Sequence, residues 1–410
     1  MSKLSEAIRP HHERLTSYIS DNQYLFLALI VIFLGALWRI WGLGTFKGFS
    51  KDELILLENA KSLISNHWIP GGSISGVLFT AKLASVGSLL GYSQIVFRLF
   101  SAIIGVTASI FFFLFVRSWF NKQIALVATL LMATNATMLI FSSVLSPTML
   151  IITLQMAILY FATIAFRDKN VWFFLLSAVL SALGVFLSPY FVIMGILIFL
   201  ASLTMTAKNP KIFKIYRFEL IALILPIVLA LAGYGYLMRG QMNEIVNYIN
   251  PGSFADFYLN VGKNLLTLFS GSEYVSTVSV SIEPILDPFV AVSAVCGIVY
   301  AFFHGGKRKH QFVLLWLLFG LIVISLTKIQ TMMGLTLILP VIFIISGIML
   351  DYLLTSWVRT FPYNKSARLV MTLLFSLFLF LSIYYNFQKF FYGWQGNPKI
   401  SSQYSILLDK

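Results

Sequence analysis

Long apolar runs separated by short polar segments dominate the chain, and most runs approach the roughly twenty residues that one helical bilayer crossing needs. Eleven runs are read, at residues 23 to 43, 95 to 116, 123 to 142, 147 to 166, 171 to 188, 189 to 206, 218 to 238, 285 to 304, 311 to 327, 332 to 350 and 366 to 385. They predict an all-α polytopic membrane protein with about eleven transmembrane helices, within a range of ten to twelve. Ser188-Pro189 separates the fifth and sixth runs almost without a loop. A tight hairpin is expected there, because the two runs together exceed one crossing.

The polar segments divide the chain further. Residues 1 to 22 read as a cytoplasmic tail, 23 to 385 as the transmembrane domain and 386 to 410 as an outer carboxyl-terminal tail. The first run is longer than the about 7–15 apolar residues of a secretory signal peptide and lacks a small-residue cleavage pattern, so it reads as a retained span. With the amino terminus inside, the inside segments together with the flanking Arg368 hold 17 of the 29 Lys and Arg, and these segments are about half as long as the outside ones. That bias predicts a multi-pass plasma-membrane protein with a cytoplasmic amino terminus and an extracytoplasmic carboxyl terminus. Two outer loops, 44 to 94 and 239 to 284, are long enough to carry structure of their own.

Composition agrees with this picture. The chain is 59% apolar and 11% charged, with a mean hydropathy of +0.87, which excludes a water-soluble fold. The net charge of +14 does not point to nucleic acid, because no Lys/Arg run exceeds Lys307-Arg308-Lys309, which lies between two apolar runs. That cluster is a topology signal whose expected partners are anionic membrane lipids. Cys296 is the sole cysteine, so no disulfide or thiolate metal site can form within the chain. Glu219, Asp287 and Asp351 sit near span ends, and the lack of mid-span charge argues against an ion-coupled transporter while leaving a lipid carrier open.

Chemistry is therefore sought in the two outer loops. Ser50 and Glu53 have capping-box spacing, and the apolar positions after them predict an amphipathic helix lying on the membrane, followed by a second one over 74 to 90. The cap gives Glu53 a duty and leaves Asp52 in the first turn as the candidate acid, although both also read as ordinary helix-start residues. Arg39, Lys82, Arg98 and Lys328 map to the outer face, where together they suit a headgroup phosphate and singly suit anchoring at the interface. In the second loop, an aromatic stripe from Phe254 to Phe269 at helical spacing predicts another amphipathic helix, with Lys263 among its polar positions, and the stripe equally suits packing against the bundle. No phosphate loop, dinucleotide fingerprint, zinc motif or nucleophile elbow is present in the sequence.

The chain resembles the GT-C membrane glycosyltransferases, in particular the bacterial branch of protein O-mannosyltransferases and aminoarabinose transferases. The likeness rests on Arg39 followed by the Asp52-Glu53 pair, on Tyr92 to Ala102 around Arg98, on Arg117 to Lys122, and on Lys328 followed by Leu337-Ile338-Leu339-Pro340. It implies a GT-C-like fold and an inverting transferase that moves a hexosyl or pentosyl group from a polyprenyl-phosphate sugar donor to a lipid, glycan or protein acceptor at the outer face. The catalytic residues it implies are Asp52 and Glu53. Arg98, Lys328, Lys263 and Arg239 would bind the donor phosphate, supported by Arg39 and Lys82. No cofactor is required by a motif, and a divalent cation stays open. The turn from Phe141 to Thr148 carries no acid, a departure that favours the alternative of a non-catalytic lipid-linked glycan carrier or assembly scaffold.

Overall fold

The structure, a computed structural model, describes residues 23–41, 43, 48–66, 77–188, 191, 228, 232, 253–270, 284–304, 308–326 and 332–404. The helices are α1 (Gln23–Trp41), α2 (Lys51–Asn66), α3 (Val77–Leu90), α4 (Gln94–Trp119), α5 (Lys122–Thr134), α6 (Ala136–Ser143), α7 (Thr148–Asp168) and α8 (Val171–Val185). After the described residues resume come α9 (Phe254–Ser270), α10 (Pro288–Phe303), α11 (Arg308–Ser325), α12 (Leu339–Thr360) and α13 (Lys365–Gln388). A π-helical segment, Lys389–Gln395, and α14 (Pro398–Gln403) follow.

The expected number of spans is corrected by the helices themselves. Among the described residues, six are long and apolar enough to cross a membrane, and a seventh is gained if α5 and α6 count as one bent span, in place of about eleven. The runs at 171 to 188 and 285 to 304 form helices of only 15 and 16 residues, short of the about 20 that a crossing needs. The run at 123 to 142 bends by 58° between α5 and α6. Asn135 causes the break by accepting hydrogen bonds from the Thr137 and Met138 amides, which starts a new helix. The run at 332 to 350 is displaced to α12, where Pro340 sits in the first turn and has no amide to leave unpaired. The runs at 189 to 206 and 218 to 238 lie almost wholly outside the described residues.

The bundle is built on α4, α5, α7 and α12, whose buried apolar side chains form one continuous core. In its most apolar stretch α7 is 78% buried and α13 only 6%. Leu369, Leu373, Leu377 and Phe380 of α13 are exposed, as expected of a helix facing hydrocarbon. Gly105 lets α4 approach closely, since a Cβ there would stand 2.5 Å from that of Ser142 and 2.8 Å from Arg39 Nε. The alternating helices sort the residues into two ends. One holds the start of α2, Arg98, the turn between α6 and α7, and the segment after α13. The other holds Tyr24 hydrogen-bonded to Gln123, and Asn121 to Asp351.

Candidate functional site

The first end is organised around Glu53. Its carboxylate accepts from the Ser50 amide at 2.9 Å while the Glu53 amide donates to Ser50 Oγ at 3.3 Å, completing the capping box that starts α2. The same carboxylate accepts from the Leu145 amide at 2.7 Å, in the turn between α6 and α7. Arg98 approaches it with both guanidinium ends, Nη1 3.0 Å from Oε1 and Nη2 donating to Oε2 at 3.1 Å. The arginine also donates to the carbonyls of Ser143 at 2.6 Å and Gly48 at 3.3 Å. The two side chains are 2% and 3% exposed, so the pair is shielded from water and fixed by four further protein groups. Burial pushes the Glu53 carboxyl above its usual range, and Arg98 together with the Leu145 and Ser50 donors pulls the other way.

Sequence spacing revealed neither the pairing nor its cover. Tyr404 is buried, with its ring 5.3 Å from the Arg98 guanidinium carbon, and Phe49 lies on the same group at 6.0 Å. Tyr404 is held by the turn after α14 and packs against Trp394. Burial, then the nearby Glu53 and Asp52 carboxylates, raise its phenol pKa against the opposing effect of Arg98. One sequence signal was present. An arginine in a helix that buries Phe97, Ser101 and Ala102 around it calls for a carboxylate partner.

A second polar cluster joins this end to the bent helix pair. Asn386 of α13 donates to Asp287 Oδ2 at 2.8 Å and accepts from the Ala136 amide at 2.8 Å. Asp287 in turn accepts from the Phe289 and Val290 amides and so caps α10. Lys389 donates to the Pro284 carbonyl. Three helix ends thus meet at two buried side chains.

Asp52 is exposed in the first turn of α2, directly before the buried Glu53. Arg39 is buried, donates from Nε to Ser142 Oγ at 2.9 Å and from Nη1 to Gly35 O at 2.9 Å, and has no partner for Nη2 among the described residues. Lys82 is exposed on α3 and Lys263 is exposed on α9. Lys328 and Arg239 lie outside the described residues. Asp52, Glu53 and Arg98 are therefore gathered at one helix start.

A divalent cation finds no ligand set among the same residues. Both Glu53 oxygens are taken by Arg98 and backbone amides, and no three His, Cys, Asp or Glu side chains converge among the described residues. These groups do not fit a metal site.

Comparisons with known proteins bear on the same fold. The profile of the family described as dolichyl-phosphate-mannose-protein mannosyltransferase matches residues 77–240, less than half of the chain. No curated protein matches the chain significantly in sequence. Among solved structures, the Archaeoglobus fulgidus oligosaccharyltransferase tethered with an acceptor peptide is similar, with a TM-score of 0.60 and 13% identity over 96% of this chain and 57% of that one. AglB from the same organism, in complex with an inhibitory peptide and a dolichol-phosphate, gives 0.58 and 14% over the same shares. ArnT from Cupriavidus metallidurans bound to undecaprenyl phosphate gives 0.51 and 12%, over 95% of this chain and 76% of that one. The chain thus spans just over half the length of the archaeal enzymes, and at these identities the likeness establishes the fold.

Proposed function

We propose that this multi-pass membrane protein, whose fold is that of the GT-C glycosyltransferases, transfers a sugar from a polyprenyl-phosphate donor to an acceptor at the membrane face where α2 begins. The observation that carries this reading is the exposed Asp52 carboxylate standing on a helix start that the buried Glu53–Arg98 pair immobilises. Structural relatives in complex with a dolichol-phosphate and with undecaprenyl phosphate support the donor class.

In this reading Asp52 accepts the proton of the acceptor nucleophile as that nucleophile attacks the anomeric carbon. The bond from that carbon to the phosphate oxygen breaks, and its electron pair leaves with the phosphate, so the configuration inverts. Cations near the donor stabilise the leaving phosphate, a role assigned to Lys263, Lys328 and Arg239, with Arg39 and Lys82 in support. Arg98 is given a positioning role, because its guanidinium is already engaged by Glu53, Ser143 and Gly48. The hydrocarbon tail remains in lipid while the sugar enters water, so both reactants are oriented without a nucleotide site.

The test supplies the purified protein in bilayers with a panel of polyprenyl-phosphate sugars and follows release of polyprenyl phosphate. Turnover with at least one donor, lost in Asp52→Asn, is expected. Donor binding without turnover by the unmutated protein would replace this reading with that of a glycan carrier or scaffold.

A further inference from the structure

The opposite end of the bundle contains a groove of about 340 Å³ lined by Ser118, Trp119, Thr163, Phe166, Arg167, Arg308 and Lys309. It is remote from the Glu53–Arg98 pair. Arg98 and Trp119 lie 21 residues apart on α4, and at 1.5 Å per residue the separation is about 31 Å, close to the thickness of a bilayer's hydrocarbon core. Three cations from α7 and α11 therefore converge at one boundary of the membrane.

Four features of the groove suit a phosphate attached to lipid. Trp119 is 6% exposed, yet its indole Nε1 has no hydrogen-bond partner among the described residues, so a buried donor is available at a groove rimmed by positive charge. Asp168 holds Arg167 through two hydrogen bonds at 2.7 and 3.1 Å, which fixes that arginine's direction beside Lys309. Phe166 and the Trp119 ring supply an apolar wall that a headgroup's first methylenes can cover. Exposed aromatic side chains also ring this end, with Trp172 at 78%, Phe302 at 73% and Phe303 at 79% exposure. Tryptophans collect at the headgroup level of membranes, so a phosphate bound beside Trp172 has lipid as its source.

We propose that this groove is a binding site for the phosphate of an anionic glycerophospholipid. Lys309 and Arg308 bind the phosphate oxygens by charge and hydrogen bond, and Trp119 donates its indole N–H. The acyl chains leave along the apolar outer surface of the bundle. The site is independent of the proposed transfer reaction and stands or falls without it.

The protein is reconstituted in bilayers of phosphatidylcholine containing a minor fraction of phosphatidylglycerol, extracted, and examined by native mass spectrometry for retained lipid. The unmutated chain is expected to retain phosphatidylglycerol in preference to phosphatidylcholine. The Arg308→Gln/Lys309→Gln double variant should lower that retention by about tenfold or more, the equivalent of one charge-assisted contact. Trp119→Phe, which keeps an aromatic ring and removes the donor, should reduce it several-fold, and it serves as the test if the double variant does not fold. Lys122→Gln, a cation exposed at the same end outside the groove, should change nothing. Equal retention in all four proteins, or equal loss in Lys122→Gln and the double variant, would overturn the site. Displacement of the lipid by millimolar inorganic phosphate would overturn its assignment to a lipid ligand.

Discussion

Two arginine–carboxylate pairs of similar length occupy opposite ends of this bundle and do different work. Arg98 and Glu53 lie at 3.0 Å with 2% and 3% exposure, whereas Arg167 and Asp168 lie at 2.7 Å with 61% and 45% exposure. The shorter pair joins adjacent residues in water. It orders one side chain and fastens no element to another. The longer pair connects α2 to α4 and, through Leu145 and Ser143, to the turn between α6 and α7. Distance alone therefore says little about the role of an ion pair; what matters is how many chain segments lose a partner when it breaks.

Removal of Arg98 should have the largest effect on stability. Arg98→Ala leaves the Glu53 charge buried without its partner and is expected to cost about 3–5 kcal/mol, read as a marked fall in Tm. A Tm near that of the unmutated protein would mean that the pair is not the clamp described. A smaller loss is expected from Asn386→Leu, which strands the Ala136 amide and one oxygen of Asp287, at about 1–3 kcal/mol for each buried group left unsatisfied. Thermal unfolding checks this, and hydrogen exchange at Ala136 should rise with it.

A smaller effect still is expected at the cover over the pair. The Tyr404 phenol has its pKa raised by burial and by Glu53 and Asp52, so the folded state keeps this proton longer than the unfolded chain does. The resulting stability is fully present below the ordinary tyrosine value of about 10 and is lost as pH rises above it. Protease cutting within 389–404 should therefore accelerate above about pH 10, and Tyr404→Phe should remove that acceleration. The smallest effect is predicted for Asp168→Asn, whose partner stays solvated. A Tm indistinguishable from that of the parent is expected, and a large fall would break the contrast between the two ends.

Legibility in the sequence followed the range of the interaction. The start of α2 was readable because Ser50 and Glu53 are three residues apart, and a helix folds that spacing into a reciprocal cap. The lengths of α1, α4 and α7 were likewise written in uninterrupted apolar runs. Hydropathy could not show that Asn135 would spend its side chain on two amides and bend the third run, or that two other apolar runs would yield helices of 15 and 16 residues. Among the described residues, these two short helices and the bend bring the spans to six or seven, below the number expected from run counting. The Glu53–Arg98 pair joins residues 45 apart, and Tyr404 reaches it from the end of the described chain, so no local spacing encodes either contact.

The role proposed for Asp52 is to act as base on a helix start held by a separate clamp. Transfer by Asp52→Asn should be measured in bilayers beside the unmutated protein with a donor that the latter uses, together with donor affinity and Tm. A fall in turnover of about 10²–10⁴-fold, with affinity and Tm retained, is the predicted result. Full turnover by Asp52→Asn would contradict it.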